Sequence, residues 1–301
     1  MVSARRWSVF GFLAVAIVSA PSFGQTKSNS DLPPAELVRK TIQNEIRASR
    51  AIPLSRFMFQ SRKQGPQGSQ TKLYVETSEG MAGMVIANND KPLSTEQREA
   101  ENARVQRFVD DRSELEKKKK REKEDAERTL EIMKALPDAF LYAKDGTQTG
   151  SQTLGKPGDE LLRLKFWPNP QYNPPSHTEQ VLVGMQGHLL IDAEHLRLAE
   201  IDGTLFREVS FGWGILGHLD KGGHFLVNQA DVGSGEWEIT HMNLGFTGKI
   251  MMFKTLHIQS DEVFGSFRAV PSNLTFAQGI GILKKQQSEL AENHASDGGT
   301  R

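Results

Sequence analysis

The sequence predicts a mainly antiparallel β fold of the α+β kind: a curved, half-barrel sheet with covering helices and a long charged helical insertion. From Met185 to Val270, strand-like runs follow one another with only short turns between them. Parallel neighbours would need crossovers of a dozen or more residues, so these strands are expected to pair antiparallel. Two helical segments, 35–50 and 94–136, carry apolar faces that need a sheet to pack on.

The first residues resemble an export signal. Arg5 and Arg6 precede an apolar run over residues 7–20, and small residues follow up to Gly24. This pattern predicts a signal peptide over residues 1–24 that is cleaved before Gln25, and therefore a periplasmic protein. The alternative is an uncleaved anchor, but the run is shorter than the roughly 20 apolar residues that span a bilayer. No transmembrane span is expected after cleavage.

The composition excludes several classes of partner. Lys plus Arg and Asp plus Glu both total 37, so the net charge is zero and no overall field attracts nucleic acid or an anionic membrane. The chain has no cysteine, although an exported protein meets an oxidising compartment. Stability must come from packing alone, and a lipid-modified N-terminal cysteine is excluded.

The mature chain is predicted to be a single half-barrel domain over residues 25–283. Apolar side chains recur at helical spacing after Pro33 and Pro34, which predicts a helix over 35–50. Pro53 should end the helix. Strands are then predicted at 54–60, 72–77 and 80–87, with a loop at 65–68.

The helical insertion over 94–136 begins at a capping-box pattern, Ser94 with Gln97, and should stop at Pro137. Residues 114–125 are almost wholly charged, so the two ends of the insertion can pack and the middle cannot. Either a helical hairpin with an exposed tip or one long helix whose centre projects into water fits this pattern. A run of this kind usually forms a solvated face, and the alternative is a surface at residues 110–125 that binds an envelope protein partner.

The second half alternates strands with glycine- and proline-rich breaks. A loop is predicted at 146–158, a strand at 161–167 and a proline-rich loop at 168–175. The strand-like runs that follow are 187–192, 196–201, 224–229, 236–246, 249–259 and 262–270. Turn residues lie at 230–235 and 245–248. Residues 284–301 are predicted to be a polar, disordered tail.

The alternation along these strands predicts a bend. Apolar side chains occupy odd positions at Trp237 and Ile239, but even positions at Met242 and Leu244. A β-bulge near Thr240 or His241 would produce this change of phase, and bulges strengthen the bend of a strand.

A curved sheet with helices across its mouth either fills its hollow with side chains or leaves a cavity for an apolar ligand. The predicted ligand-binding residues are Phe225, Val227, Trp237, Ile239, Ile250, Met252, Leu256 and Ile258. A closed core would use the same side chains. Methionines are numerous near these strands and suit a lining that accepts flexible chains, although methionine is also an ordinary core filler.

No motif predicts catalysis. Residues 212–217 read G-x-G-x-x-G, but no helix follows to receive a pyrophosphate, so a nucleotide site is not expected. Asp192, Glu194 and His195 are close in sequence but are interpreted as a solvated turn, because they lack metal-ligand spacing. There is no G-x-S-x-G elbow. We therefore expect no catalytic residue, no metal and no cofactor, and a protein that is not an enzyme.

One pair of strands carries a family resemblance. Gly187–Asp192, read as GHLLID, is followed by LRLAEIDG from Leu196 to Gly203. This pair resembles the sheet of periplasmic outer-membrane lipoprotein-sorting proteins, the lipoprotein-carrier family. The similarity covers residues 35–85 and 160–270 in the order of their elements, and the segments 94–136 and 168–175 depart from the family pattern. No residue of this sequence is assigned to the family's cavity-gating arginine.

The resemblance implies a half-barrel lidded by helices that holds acyl chains without covalent chemistry. The expected function is accordingly that of a periplasmic, non-catalytic carrier or binding protein for lipid or a lipidated protein. The alternative is a structural or scaffolding envelope protein that uses the charged helix to bind a protein partner.

Overall fold

The computed structural model describes residues 29–51, 55–212, 216–233, 235–250 and 254–297, with side chains described as far as residue 292. The predicted signal peptide, residues 1–24, lies outside this part of the chain. The four α-helices described are α1 (Pro34–Arg50), α2 (Thr95–Asp110), α3 (Arg112–Ala139) and α4 (Phe276–Asp297).

In the described part of the chain, the fold is built on one open antiparallel sheet, as the sequence predicted, and this sheet has 13 strands. Its first strands are β1 (Arg56–Gly65), β2 (Gly68–Thr77), β3 (Gly80–Asn88), β4 (Lys91–Pro92), β5 (Phe140–Thr149) and β6 (Glu160–Pro168). The others are β7 (Met185–Asp192), β8 (Arg197–Leu205), β9 (Val209–Phe211), β10 (Gly217–Leu219), β11 (His224–Asp231), β12 (Trp237–Ile250) and β13 (Lys254–Val270). The order across the sheet is β4-β3-β2-β1-β13-β12-β11-β8-β7-β6-β5, and β10 pairs with β12 and β9. The sheet therefore has one edge at β3 and β4 and the other at β5.

The bulge that the change of phase predicted is present in β12. Asn228 lies opposite His241 and Gln229 lies opposite Ile239, so Thr240 is the extra residue. Its side chain is buried and its hydroxyl donates to the carbonyl oxygen of Thr153 at 2.6 Å. The bulge thus attaches the sheet to the loop after β5.

One predicted turn and part of one predicted loop belong to strands instead. The turn predicted at 245–248 is wrong, because β12 continues through it to Ile250 and pairs there with β13. Gly245 makes room for a neighbour, since an added Cβ would lie 2.3 Å from the ring of His224. The loop predicted at 146–158 begins too early, because β5 extends to Thr149. A bulge in β5 contains Gly146, whose φ of 101° suits glycine.

The charged insertion forms two helices rather than one. Ser94 and Gln97 make the predicted capping box at the start of α2. Asp111 has extended φ and ψ angles and separates α2 from α3. Pro137 does not stop α3, which ends two residues later at Ala139. Pro137 is buried, and packing of this last turn beside Leu136 offsets the missing backbone donor.

The predicted disordered tail is wrong over the described residues 284–297, because they belong to α4. Phe276, Ile280 and Leu283 lie on one helix face and are buried with Val75 and Met84 of the sheet. Gln287 is also buried, and its amide donates to the carbonyl oxygen of Val85 at 3.3 Å. Burial of this face supplies the stability that the polar composition alone does not indicate.

The two faces of the sheet are covered at opposite ends. On one face, α1 and the last turns of α3 pack over β5–β8, where Leu164, Phe166 and Leu189 are buried. On the other face, α4 and part of α2 pack over β1–β3, around Leu73 and Met84. The predicted helix 35–50 and the end of the predicted insertion therefore cover the same face of the sheet, whereas α2, the first part of the insertion, packs on the other face.

Helix α3 connects the two edges of the sheet and shows which face is concave. Glu122 accepts a hydrogen bond from the backbone N–H of Met81 on β3 at 3.4 Å, and Ala139 is directly followed by β5. The nine strand spacings from β3 to β5 amount to about 43 Å. The helix from Glu122 to Ala139 spans only about 26 Å. The sheet must therefore bend toward α3, and we call the face that packs against the end of α3 the concave face.

Candidate functional site

The concave face is filled with side chains at one end. Over β5–β8 it packs against α1 and the end of α3 and forms the largest core cluster. Glu45 holds α1 in place there: its buried carboxylate accepts from Arg197 at 2.9 and 3.2 Å and from the backbone N–H of Leu198 at 2.8 Å. A buried ion pair that is also hydrogen-bonded to the backbone fixes the position of a helix. The hollow is closed at this end.

The middle of the same face, over β11–β13, remains partly exposed. Phe225 lies opposite Gly203 of β8, so the strip continues directly from the filled end. Gly203 leaves room for the ring, since a Cβ there would lie 2.5 Å from it. We define the apolar strip as the half-buried or exposed side chains Phe225, Val227, Met242, Leu244, Phe246, Ile250, Leu256 and Ile258. Ile250 and Ile258 are 40% and 39% exposed.

The predicted binding residues are brought together in part. Five of the eight lie in the apolar strip: Phe225, Val227, Ile250, Leu256 and Ile258. The other three do not join them.

Trp237 is buried in a separate small cluster with Leu161 and Leu190, and the guanidinium of Arg197 lies 5.0 Å from its ring centre. Ile239 is exposed and lies beyond the bulge at Thr240, where it pairs with the polar Gln229 and not with a residue of the strip. Met252 lies outside the described residues.

Some of the methionines fill the core and Met242 lines the concave face, which are the two roles that the sequence left open. Met84 and Met185 are core residues, since both are nearly inaccessible. Met242 belongs to the apolar strip, and Met251 and Met252 are outside the described residues.

An aromatic cluster extends the concave face toward β2. Phe59 stacks on Tyr74 and on Phe267, with ring centres 5.3 Å apart in both cases. Phe57 and Phe264 complete the cluster. Sequence analysis did not select these residues, because only the pairing of β1 with β13 brings them next to the predicted strip.

Polar groups lie between the aromatic cluster and the apolar strip. The hydroxyl of Ser61 donates to the buried carboxylate of Glu262, and the ammonium of Lys63 lies 3.9 Å from that carboxylate. Ser260 is buried, and its hydroxyl has no hydrogen-bond partner among the described residues. The concave face is thus amphipathic: it presents apolar area beside charged and hydroxyl groups.

The charged segment of α3 is largely paired within itself. Its lysines lie beside glutamates three or four residues away, as in Lys117–Glu114 at 2.7 Å and Lys119–Glu116 at 3.1 Å. Such pairs support a helix that has little to pack on. Residues 123–129 are exposed on every side. A partner-binding role for residues 110–125 stays a prediction.

Two groups of histidine and carboxylate side chains have ligand atoms close together. Asp159, Glu194 and His195 form one group, and Glu208, His218 and Asp220 form the other. The ammonium of Lys156 lies 3.4 Å from His195 Nε2 and 3.7 Å from Asp159, so a cation is already present at the first group.

The interpretation of residues 192–195 as a solvated turn is wrong for Asp192, which is fully buried. Its carboxylate accepts from the backbone N–H of His195 at 2.9 Å and lies 2.9 Å from His195 Nδ1. These contacts stabilise the turn between β7 and β8.

Burial changes the pKa of two groups near the concave face. Burial, together with the neighbouring carboxylates of Glu76 and Glu236, raises the pKa of Glu238 to about 7. Burial also raises the pKa of Tyr74 to about 12, so its hydroxyl is a neutral donor at physiological pH.

Comparison with known proteins gives one distant structural neighbour. No protein-family model matches the chain, and no curated protein matches it. An outer membrane lipoprotein-sorting protein domain from Vibrio parahaemolyticus is similar over 83% of this chain and 99% of its own, with 9% identity and a TM-score of 0.31. At this TM-score the two structures differ too much for a role to be transferred. Within the described residues, no helix is long and apolar enough to cross a membrane.

Proposed function

We propose that this protein is a non-catalytic carrier or binding protein for lipid or a lipidated protein, and that it holds acyl chains against the apolar strip of the concave face. The observation that carries the proposal is the partial exposure of contiguous apolar side chains on the inner face of a bent sheet. Soluble proteins seldom leave such a surface uncovered without a use for it.

The energetics of the strip suit a flexible apolar chain. Each methylene transferred from water to an apolar surface contributes about 0.8 kcal/mol, so a chain of about ten carbons would gain several kcal/mol even when it is partly covered. No directed polar contact is needed along the chain. The export signal predicted at residues 1–24 supports a periplasmic location for this activity.

The test compares two residues of β13 that are on opposite faces. Ile258 is in the apolar strip, whereas Val263 lies opposite Arg62 on the convex side and is 53% exposed. We expect Ile258→Gln to weaken the uptake of a fluorescent fatty acid by about fivefold or more, because a polar group replaces apolar area that the acyl chain covers when it binds. Val263→Gln should bind as the unmodified protein does.

The measurement is a fluorescence titration of the full mature chain, together with mass spectrometry of lipids that copurify from membranes. If no lipid copurifies and the protein takes up no fatty acid, the proposed function is refuted. Equal weakening by the two variants would place any binding elsewhere on the protein.

A further inference from the structure

A cavity of about 490 Å³ lies where the edge of the sheet meets the charged helices. It is formed by β2, β3, α2 and α3. Its lining residues are Gln70, Lys72, Tyr74, Met81, Gly83, Val85, Glu101, Arg104 and Lys118. Tyr74 also belongs to the aromatic cluster, so the cavity adjoins the concave face.

Most of the charged side chains around the cavity are already paired. Glu101 accepts the backbone N–H of Val85 at 2.7 Å and receives two hydrogen bonds from Arg104, both at 2.7 Å. Arg104 also donates to the carbonyl oxygen of Gly83 at 3.0 Å. These contacts occupy the backbone groups that edge strand β3 would otherwise leave free. Lys118 pairs with Glu122 of the same helix.

Lys72 is the exception. It follows the alternation of β2 onto the concave face, opposite Ser61, and its side chain is about half buried. Within the described part of the chain, its ammonium has no carboxylate within ion-pair distance and no hydrogen-bond partner. Desolvation lowers the pKa of Lys72, and the carboxylate that opposes this shift most is Glu262.

The cavity therefore has one more positive charge than negative. The lining residues Lys72, Arg104 and Lys118 contribute three cations, and Glu101 of the lining and Glu122, the partner of Lys118, contribute two anions. A partly desolvated ammonium without a partner gains more from an incoming anion than a solvated lysine does, because charge-assisted hydrogen bonds are stronger outside bulk water.

We propose that this cavity binds the anionic head group, a carboxylate or a phosphate, of the amphiphile whose acyl chain lies on the concave face. This inference rests on the proposed function and adds the chemical class of the head group. Lys72 makes the principal contact of the protein with this head group. The stacked rings of Tyr74, Phe59 and Phe267 provide an apolar surface beside the cavity for the first part of the acyl chain.

The test measures the preference for a charged head group at constant chain length. Dodecanoate, dodecyl phosphate and dodecanol compete against an uncharged fluorescent apolar probe on the full mature chain. We expect the two anions to bind about tenfold more tightly than the alcohol, since one charge-assisted hydrogen bond accounts for such a ratio. Lys72→Met should remove most of this preference and leave the affinity for dodecanol unchanged.

The matched control is Lys165→Met, which removes an exposed lysine from β6 on the opposite face. It should retain the tenfold preference. Thermal unfolding of both variants checks that they are folded. Inorganic phosphate alone should not displace the probe at the concentrations at which dodecyl phosphate does.

The outcomes separate the two proposals. Failure of all three amphiphiles to bind would overturn the proposed function and this inference with it. Equal binding of anions and alcohol, or an unchanged preference in Lys72→Met, would overturn only the head-group assignment. Displacement by inorganic phosphate at the same concentrations would assign the cavity to a free anion instead.

Discussion

The two ends of the concave face are built from similar side chains but have different surroundings. Over β5–β8, leucines and phenylalanines are buried by α1 and the end of α3. Over β11–β13, side chains of the same kind remain half exposed, although they belong to the same continuous sheet. Apolar content alone therefore does not distinguish a core from a binding surface. The position of the helices does.

The course of α3 explains the difference. Its last turns pack into the core, whereas residues 123–129 are exposed on every side. The ion pairs within this helix allow it to cross from one edge of the sheet to the other without packing on the sheet between them. The middle of the concave face is thus exposed because the charged helix α3 connects the two edges of the sheet without packing on the strands between them.

The largest expected effect comes from truncating one leucine in each region. Leu189 of β7 is 2% exposed in the filled end, and Leu256 of β13 is partly exposed in the apolar strip. Leu189→Ala should lower the free energy of unfolding by about 2–5 kcal/mol, because it leaves a cavity in a packed core. Leu256→Ala should lower it by less than about 1 kcal/mol, because the side chain is not enclosed.

Urea unfolding followed by circular dichroism measures both variants under the same conditions. Losses of equal size would contradict the comparison, since they would mean that the strip is packed as tightly as the filled end.

A smaller effect on the free energy of unfolding is expected when Glu238, at the start of β12, is replaced. Its folded pKa is about 7, above the value of 4.5 for a solvated glutamate, so the folded state holds the proton more tightly. The stability that this contributes is present below about pH 4.5 and is lost as the pH rises through 7. Glu238→Gln should therefore match the unmodified protein near pH 4.5 and exceed its stability by about 1–3 kcal/mol near pH 7.5.

The measurement is the free energy of unfolding across this pH range. Glu99→Gln, on an exposed part of α2, is the control and should show no pH-dependent difference. A difference between Glu238→Gln and the unmodified protein that stays constant with pH would refute the assignment.

Sequence patterns predicted local features well, but they predicted less well where the helices lie along the chain and on the sheet. The change of phase at Thr240 identified a bulge correctly, because alternation reports directly on which side of a strand faces water. The strand β5 was not predicted, and its residues 146–149 were assigned to a loop, because a glycine and polar residues resemble a loop and only pairing with β6 makes a strand. The helix after residue 284 was missed because glycines and charges obscured the spacing of Phe276, Ile280 and Leu283.

The candidate site was predictable only in part, for the same reason. The strip residues of β11–β13 are neighbours in sequence, so their alternation placed five of them together. Trp237 does not join them, because it is buried with Leu161 and Leu190, which are far away in the sequence. Lys72 and Tyr74 were not predicted, since β2 reaches the site only through its pairing with β1, far along the chain from β13.

The most direct test of the central claim, that the middle of the concave face holds an acyl chain, uses the absence of cysteine from the chain. A single cysteine is introduced as Ile258→Cys or as Val263→Cys, and each is labelled with a dye whose emission reports the polarity around it. Saturating dodecanoate should shift the emission of the dye at position 258 to shorter wavelength and leave the dye at position 263 unchanged. No shift at either position, or the same shift at both, would contradict the account.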